Sequence, residues 1–122
     1  MFALPEAFVI AYLESETGDD AGTTTPNNLE TLAAFHRVSV GGGDDDTVTD
    51  SALVDIESFA PSRYNAALAA ERARLAMLQL SGKTVAGSLV DRVRTATRPV
   101  WLDYDNPKVF RYVATYRVEQ RA

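Results

Sequence analysis

The stretch 61–80 constrains the fold more than any other, because its apolar residues recur at helical spacing on two separate faces. One stripe consists of small or slender residues: Ala66, Ala69, Ala70, Ala73, Met77 and Leu80. A second stripe of larger residues consists of Tyr64, Leu68, Leu75 and Leu78. A helix that is apolar on two faces is predicted to bury both, or to bury one and use the other in assembly. Pro61 suits the first helical position and Ser62 competes with it as the cap.

Alternation of apolar and polar residues predicts the sheet. The predicted elements are a helix from about Pro5 to the residue before Gly18, an edge strand at 22–25, strands at 32–40 and 51–59, the 61–80 helix, a strand at 85–97 interrupted by Pro99, and a strand at 109–119. This order predicts an α+β fold, with a mostly antiparallel four- to five-stranded sheet and two helices packed on one face. We expect a single domain over residues 1–122.

The glycine- and aspartate-rich run after Val40 predicts a break in the sheet. We expect a hairpin whose long loop spans 41–50. Its acidic residues suit a hard cation, but an EF-hand loop starting at Asp44 would need glycine where Thr49 stands and glutamate where Asp55 stands. A solvated acidic turn is therefore favoured over a metal site.

Composition excludes several classes of protein. The chain has 122 residues, no cysteine and a single histidine, so thiolate chemistry and a multi-histidine metal site are excluded within it. A net charge of −5 argues against a protein whose main task is to grip nucleic-acid phosphates. The apolar stretch 7–13 is too short to span a membrane, and no membrane partner is expected.

Three motifs invite a catalytic or nucleotide-binding interpretation, and each has a plainer one. The tetrapeptide 81–84 (SGKT) ends like a phosphate-binding loop, but it follows a helix and has Met77 at the required glycine position. His36 on a predicted strand suggests a small enzyme or ligand-binding domain using Asp55 or Glu57, although a packed histidine is the default. The two carboxylates two residues apart also match a glycosidase pair, but an exposed sheet face is favoured.

Arginines cluster in the C-terminal part of the chain. Arg92 and Arg94 share one strand face, as do Arg111 and Arg117. They form either a solvated sheet face or a docking surface for an acidic partner, because the guanidinium fork engages carboxylates. Trp101 with Tyr104 likewise fits a core plug or an interface anchor.

An ordered set of segments carries a family resemblance. The segments are DIESFAPSR at 55–63 with the alanine-rich helix after it, VDRVRT at 90–95, PVW at 99–101 and RYVATYR at 111–117. Together they resemble the tail terminator proteins of long, non-contractile-tailed phages, particularly those infecting actinobacteria. The resemblance covers about residues 50–119 of the chain.

The resemblance implies a structural protein of the virion neck, made in the host cytoplasm, with no enzymatic activity and no cofactor. Such proteins form a hexameric ring that caps the tail tube, stops tube polymerisation and meets a head-completion protein. DNA passes through the channel without specific binding, which an acidic domain favours. The alternative within the neck is the head-completion, or stopper, protein itself.

The resemblance also suggests where contacts lie. Asp55 and Glu57 are candidate subunit-contact carboxylates, with Arg111 and Arg117 as candidate partners. Other candidate interface residues are Tyr64, Arg92 and Arg94. The candidates for a loop facing the tube or the lumen are Gly42, Gly43, Asp44, Asp45 and Asp46.

Overall fold

The computed structural model describes residues 4–45, 49–85 and 87–121. The elements in chain order are α1 (Pro5–Thr17), β1 (Asp20–Gly22), a short 3-10 helix (Leu29–Thr31), β2 (Phe35–Asp45), β3 (Thr49–Ala60), α2 (Arg63–Gln79), β4 (Thr84–Val85), β5 (Ser88–Leu102) and β6 (Phe110–Arg121). The strand order is β1-β2-β3-β6-β5-β4, with β1 parallel to β2 and the other pairs antiparallel. The fold is α+β as predicted, but the described sheet has six strands rather than four to five.

Both helices pack against one face of the sheet. Helix α1 begins with Pro5 at its first position and ends at Gly18, whose φ of 75° gives the left-handed cap that glycine adopts without strain. It buries Phe8, Val9 and Leu13 in the main core. The predicted edge strand at 22–25 lies slightly earlier, at Asp20–Gly22, where it pairs with the start of β2.

Helix α2 separates its two stripes as the sequence predicts. Ser62 is the N-cap and Pro61 precedes it, so the predicted boundary moves by two residues. The small-residue stripe is buried against the sheet. The larger-residue stripe stays exposed, with Tyr64 at 73% and Leu75 at 51%. Of the two predicted alternatives, the isolated subunit therefore buries one face and leaves the other open.

The cap of α2 gives a local stability prediction. The Ser62 hydroxyl accepts a hydrogen bond from the Asn65 amide at 3.1 Å. We expect Ser62→Ala to lower the free energy of unfolding by about 1 kcal/mol, because one amide of the first turn loses its acceptor. Ser62→Asp keeps an acceptor and is the matched control in urea denaturation. Equal stability of the two variants would contradict the assigned cap.

The prediction of a long loop over residues 41–50 is wrong. Strands β2 and β3 continue through most of it, with Gly42 opposite Leu53 and Asp45 opposite Asp50, after a bulge between Val40 and Gly42. Glycine and aspartate have low strand propensity, but pairing with a regular neighbouring strand overrides it. The candidate loop residues Gly42, Gly43, Asp44 and Asp45 are therefore strand residues, and Asp46 lies outside the described residues.

The predicted strand at 85–97 is also revised. It divides into β4 and β5, which reverse direction near Gly87, whose φ is 82°. Strand β5 continues through Pro99, with an irregular register between Thr97 and Val100. Because β4 pairs only with the first residues of β5, Pro99 lies on an edge strand, where a missing N–H donor is tolerated.

Two apolar clusters lie on opposite faces of the sheet. The main core fills the space between the sheet and the two helices. The second cluster consists of Leu29, Phe35, Phe59 and Val109, with Leu32 and Tyr104 packed against it. It lies beneath the 3-10 helix and the segment 103–109, which cover one end of the face that the helices leave bare.

Candidate assembly surfaces

The sheet face opposite the helices is largely uncovered, and we call it the outer sheet face. Strand alternation and register place on it Ser39, Asp55, Glu57, Arg92, Arg94, Arg111, Val113, Thr115, Arg117 and Glu119. Six of the seven predicted interface residues therefore share one surface. The seventh, Tyr64, lies on the exposed stripe of α2, which faces away from the sheet.

Glu57 is the most strongly bound group on the outer sheet face. Arg37 donates two hydrogen bonds to it, each of 2.7 Å, and Arg111 donates a third of 3.0 Å. Burial would raise the pKa of Glu57, but the hydrogen bonds and charges of the two arginines outweigh it and lower the pKa. Arg111 also donates to the Asp103 carbonyl at 2.6 Å. The expected attraction between this carboxylate and Arg111 thus operates within one chain.

The remaining outer-face candidates have weaker partners. Asp55 accepts a hydrogen bond from Thr115 at 2.6 Å, and Arg117 donates to Ser51 at 2.8 Å. Arg94 pairs with Glu119 at 3.0 Å, and both side chains are partly exposed. Arg92 is exposed. These groups form a polar face, and an exposed ion pair such as Arg94–Glu119 contributes little to the stability of the subunit itself.

Two apolar surfaces lie elsewhere on the subunit. The first is the exposed stripe of α2, which we call the α2 outer stripe: Tyr64, Leu68, Leu75 and Leu78. The second is a groove of about 600 Å³ beside the start of α1, which we call the apolar groove; its main apolar residues are Leu4, Ala7, Ile10 and Val40. Exposed leucines grouped on one surface are typical of interaction sites in soluble proteins. In the α2 outer stripe the exposed Glu71 lies between Leu68 and Leu75.

Trp101 is held in place rather than free. The Arg63 guanidinium lies 4.4 Å from the centre of its ring, and Arg63 also donates a hydrogen bond of 3.4 Å to the Tyr112 hydroxyl. Tyr104 belongs to the second cluster, where its ring meets Phe59 edge-on at 5.0 Å. Tyr104 is thus a plug over Phe59, whereas Trp101 is half-buried beside the start of α2.

A buried polar line joins β2, β3 and α2 to the turn before β1. The His36 Nδ1 lies 2.8 Å from the Ser58 hydroxyl, and its Nε2 lies 3.0 Å from Asp19, which also accepts hydrogen bonds from Arg72. Burial would raise the pKa of Asp19, but the hydrogen bonds from His36 and Arg72 outweigh it and lower the pKa. His36 is 0% exposed and Ser58 1%, so a substrate has no path to them.

The hypothesis that His36 acts with Asp55 or Glu57 is wrong, because both carboxylates lie on the other side of the sheet. Residues next to each other on a strand face opposite sides of the sheet, so Glu57 and Asp55 lie on the outer face while His36 faces the helices. Its actual partners, Asp19 and Ser58, are distant in sequence and carry no recognisable motif. The line fixes β2, β3, α2 and the turn before β1 to one another, which is the role of a packed histidine.

The other motifs have structural roles. The backbone of the SGKT segment forms a turn: the Gly82 amide donates to the Val90 carbonyl at 2.7 Å, and the Lys83 amide to that of Leu80 at 3.1 Å. These donors are therefore committed to the chain itself rather than to a phosphate. Among the described residues, no three His, Cys, Asp or Glu side chains are grouped so as to hold a metal ion. Neither described helix is long and apolar enough to cross a membrane.

Comparison with known proteins identifies the fold. No protein-family profile matches the chain, and no curated protein matches its sequence. A solved structure matches almost the whole chain: a chain of the "Virion of native gene transfer agent (GTA) particle", with a TM-score of 0.66 and 16% identity. The match covers 96% of this chain and 94% of that one. At this identity the likeness establishes a shared fold.

Proposed function

We propose that this protein is a structural component of a phage-like virion and that it acts as a tail terminator. Copies of it form a hexameric ring at the head-proximal end of the tail tube, stop tube polymerisation and bind the head-completion protein. The observation that carries this proposal is the fold shared with a virion chain over nearly the full length of both. The ordered segments at 55–63, 90–95 and 111–117 support the tail terminator in particular.

The surfaces of the subunit suit a ring. A head-to-tail contact uses two different patches of the same chain and closes into a ring when its rotation allows. The α2 outer stripe lies on one side of the subunit, and the outer sheet face lies on the other. A twofold dimer would instead need one self-complementary patch. The two distinct surfaces therefore favour a cyclic assembly.

Charge is consistent with a DNA channel. The net charge of −5 disfavours tight phosphate binding, so DNA passes through without being held. Two outer-face arginines, Arg94 and Arg111, are paired with carboxylates of the same chain, which further lowers their attraction for phosphate.

Deletion of the gene from a producing genome tests the role. A terminator is expected to leave over-long tail tubes without heads, visible by negative-stain electron microscopy. Tails of normal length beside full heads that leak DNA would identify the head-completion protein instead. Labelled antibody that finds the chain only in the capsid shell or the baseplate would overturn both roles.

The α2 outer stripe gives a prediction about assembly. We expect Leu75→Glu to reduce incorporation into particles at least tenfold, because a charge enters an interface that needs an apolar residue. Its effect on the unfolding free energy should stay within about 0.5 kcal/mol, since Leu75 is already half exposed. Lys108→Gln changes the net charge equally, on the exposed 103–109 segment, and is the control. If Leu75→Glu is incorporated normally, the α2 outer stripe is not part of the interface.

A further inference from the structure

The exposed large apolar side chains of the described residues lie in three places. Two are the α2 outer stripe and the apolar groove. The third is the end of β5, where Val100 is 49% exposed and Leu102 is 47% exposed. Both lie on the outer sheet face, since the register pairs Val100 with Val113 and Leu102 with Arg111. We call Val100 and Leu102 the β5 apolar end.

The α2 outer stripe carries one charge at its centre. The stripe and this charge recur at intervals of four and three residues, as along one seam of a coiled coil: Tyr64, Leu68, Glu71, Leu75 and Leu78. The side chain of Glu71 is 50% exposed. Arg74 donates to one of its two carboxylate oxygens at 3.0 Å, which leaves the exposed carboxylate room for a second cation.

Two α2 helices do not suit each other as partners. Pairing of two stripes would bring two Glu71 carboxylates into one contact, and like charges disfavour such a pair. Neither helix offers a free cation, because α1 has no basic residue and each arginine of α2 already binds a group of its own subunit: Arg63, Arg72 and Arg74. A partner for the stripe therefore combines apolar side chains with a cation from another element.

The β5 apolar end meets this requirement. Arg98 directly precedes it and is exposed, and with the described residues it makes no ion pair, hydrogen bond or ring contact. The two residues of the β5 apolar end follow Arg98 at about 7 and 13 Å along a strand. Leu75 and Leu78 follow Glu71 at about 6 and 10 Å along a helix. The two surfaces therefore match in spacing and carry opposite charges.

We propose that the α2 outer stripe of one copy binds the β5 apolar end of the next copy, with Glu71 facing Arg98 and Leu75 facing Val100. This inference rests on the proposed ring and names the two surfaces that meet in it. The stripe points away from the sheet on the helix side, whereas the β5 apolar end lies on the opposite face. Each copy therefore binds one neighbour through its stripe and the other through β5, which is a heterologous contact.

Charge exchange tests the facing pair. Glu71→Lys and Arg98→Glu are each expected to lower incorporation into particles about tenfold, because each places like charges across the contact. The double variant restores opposite charges and should recover about threefold over either. Both side chains are exposed, so urea denaturation of each variant should show little change in stability. Arg121→Glu makes the same charge change as Arg98→Glu at the far end of the β5–β6 ladder, and it is the control.

Cysteine cross-linking tests the apolar contact, because the chain has no cysteine of its own. Leu75→Cys and Val100→Cys in one chain are separated by the sheet and the body of α2, so they lie farther apart than the roughly 7 Å that a disulfide spans. In particles assembled from the double variant, we expect a ladder of disulfide-linked oligomers on a non-reducing gel. Leu75→Cys with Arg121→Cys is the control and should give no ladder.

A ladder from Val100→Cys with Ile10→Cys instead would place the β5 apolar end in the apolar groove of the next copy and overturn the proposed contact. Rings that form without the first cross-link and without the charge rescue also overturn it and leave the proposed function standing.

A chain that is absent from particles overturns the proposed function instead. The cross-link between the Leu75 and Val100 positions is then measured on the concentrated purified chain. A ladder there supports the contact on its own, and its absence overturns the contact too.

Discussion

Replacing Phe59 with alanine is expected to lower the free energy of unfolding by about 3–5 kcal/mol. Phe59 is 1% exposed and occupies the centre of the second apolar cluster. Its ring meets Tyr104 edge-on at 5.0 Å, and the Arg37 guanidinium lies 5.5 Å from its centre. The substitution removes these contacts and leaves a cavity that the sheet on one side prevents from collapsing.

The measurement is chemical denaturation at fixed protein concentration, so that assembly does not change the apparent stability. Leu102→Ala is the matched control, because Leu102 lies on the same sheet but is 47% exposed. We expect it to cost less than about 1 kcal/mol. If Phe59→Ala costs no more than this control, the second cluster is not a packed core.

Periodicity predicted the elements whose packing follows from their own residues. The two stripes of the 61–80 helix correspond to a buried and an exposed face, and the alternation along 114–119 corresponds to buried and partly buried residues of β6. Ser62 as a cap and Gly18 as a helix end were visible for the same reason, since capping depends on residues next to the helix end.

The failures occurred where distant residues decide the structure. The run after Val40 has the composition of a loop, yet it pairs with β3 because the partner strand supplies hydrogen bonds and register. Pro99 did not break β5, because its side of the strand is a free edge. Which residue lies at an edge depends on the strand order, and the strand order cannot be derived from a single sequence.

The candidate surfaces show the same division. Alternation correctly grouped Asp55 with Glu57, and Arg111 with Arg117, on one sheet face. It did not reveal that Glu57 is bound by Arg37 and Arg111 of its own chain, because that depends on which strands are neighbours. The partners of His36 were missed for the same reason: Asp19 lies in a turn that only the fold brings to it.

The second large effect is expected on acidification. The pKa values of Glu57 and Asp19 are both lowered in the folded protein. A carboxylate with a lowered folded pKa contributes stability above its ordinary pKa, and that stability is lost as the pH falls through the folded pKa. We therefore expect the unfolding free energy to decrease as the pH drops below about 5. The measurement is a series of urea titrations at pH values from neutral to well below the ordinary carboxyl pKa.

The variant Glu57→Gln distinguishes the contribution of Glu57 to acid stability from that of Asp19. It leaves the half-buried guanidinium groups of Arg37 and Arg111 without a counter-charge, and we expect a loss of about 1–3 kcal/mol near neutral pH. The variant should also lose stability less steeply in acid, with the remaining slope due to Asp19. Glu71→Gln is the control, because its exposed pair with Arg74 is worth less than about 0.5 kcal/mol. A variant with wild-type stability and an unchanged acid slope would show that the arginines do not depend on Glu57.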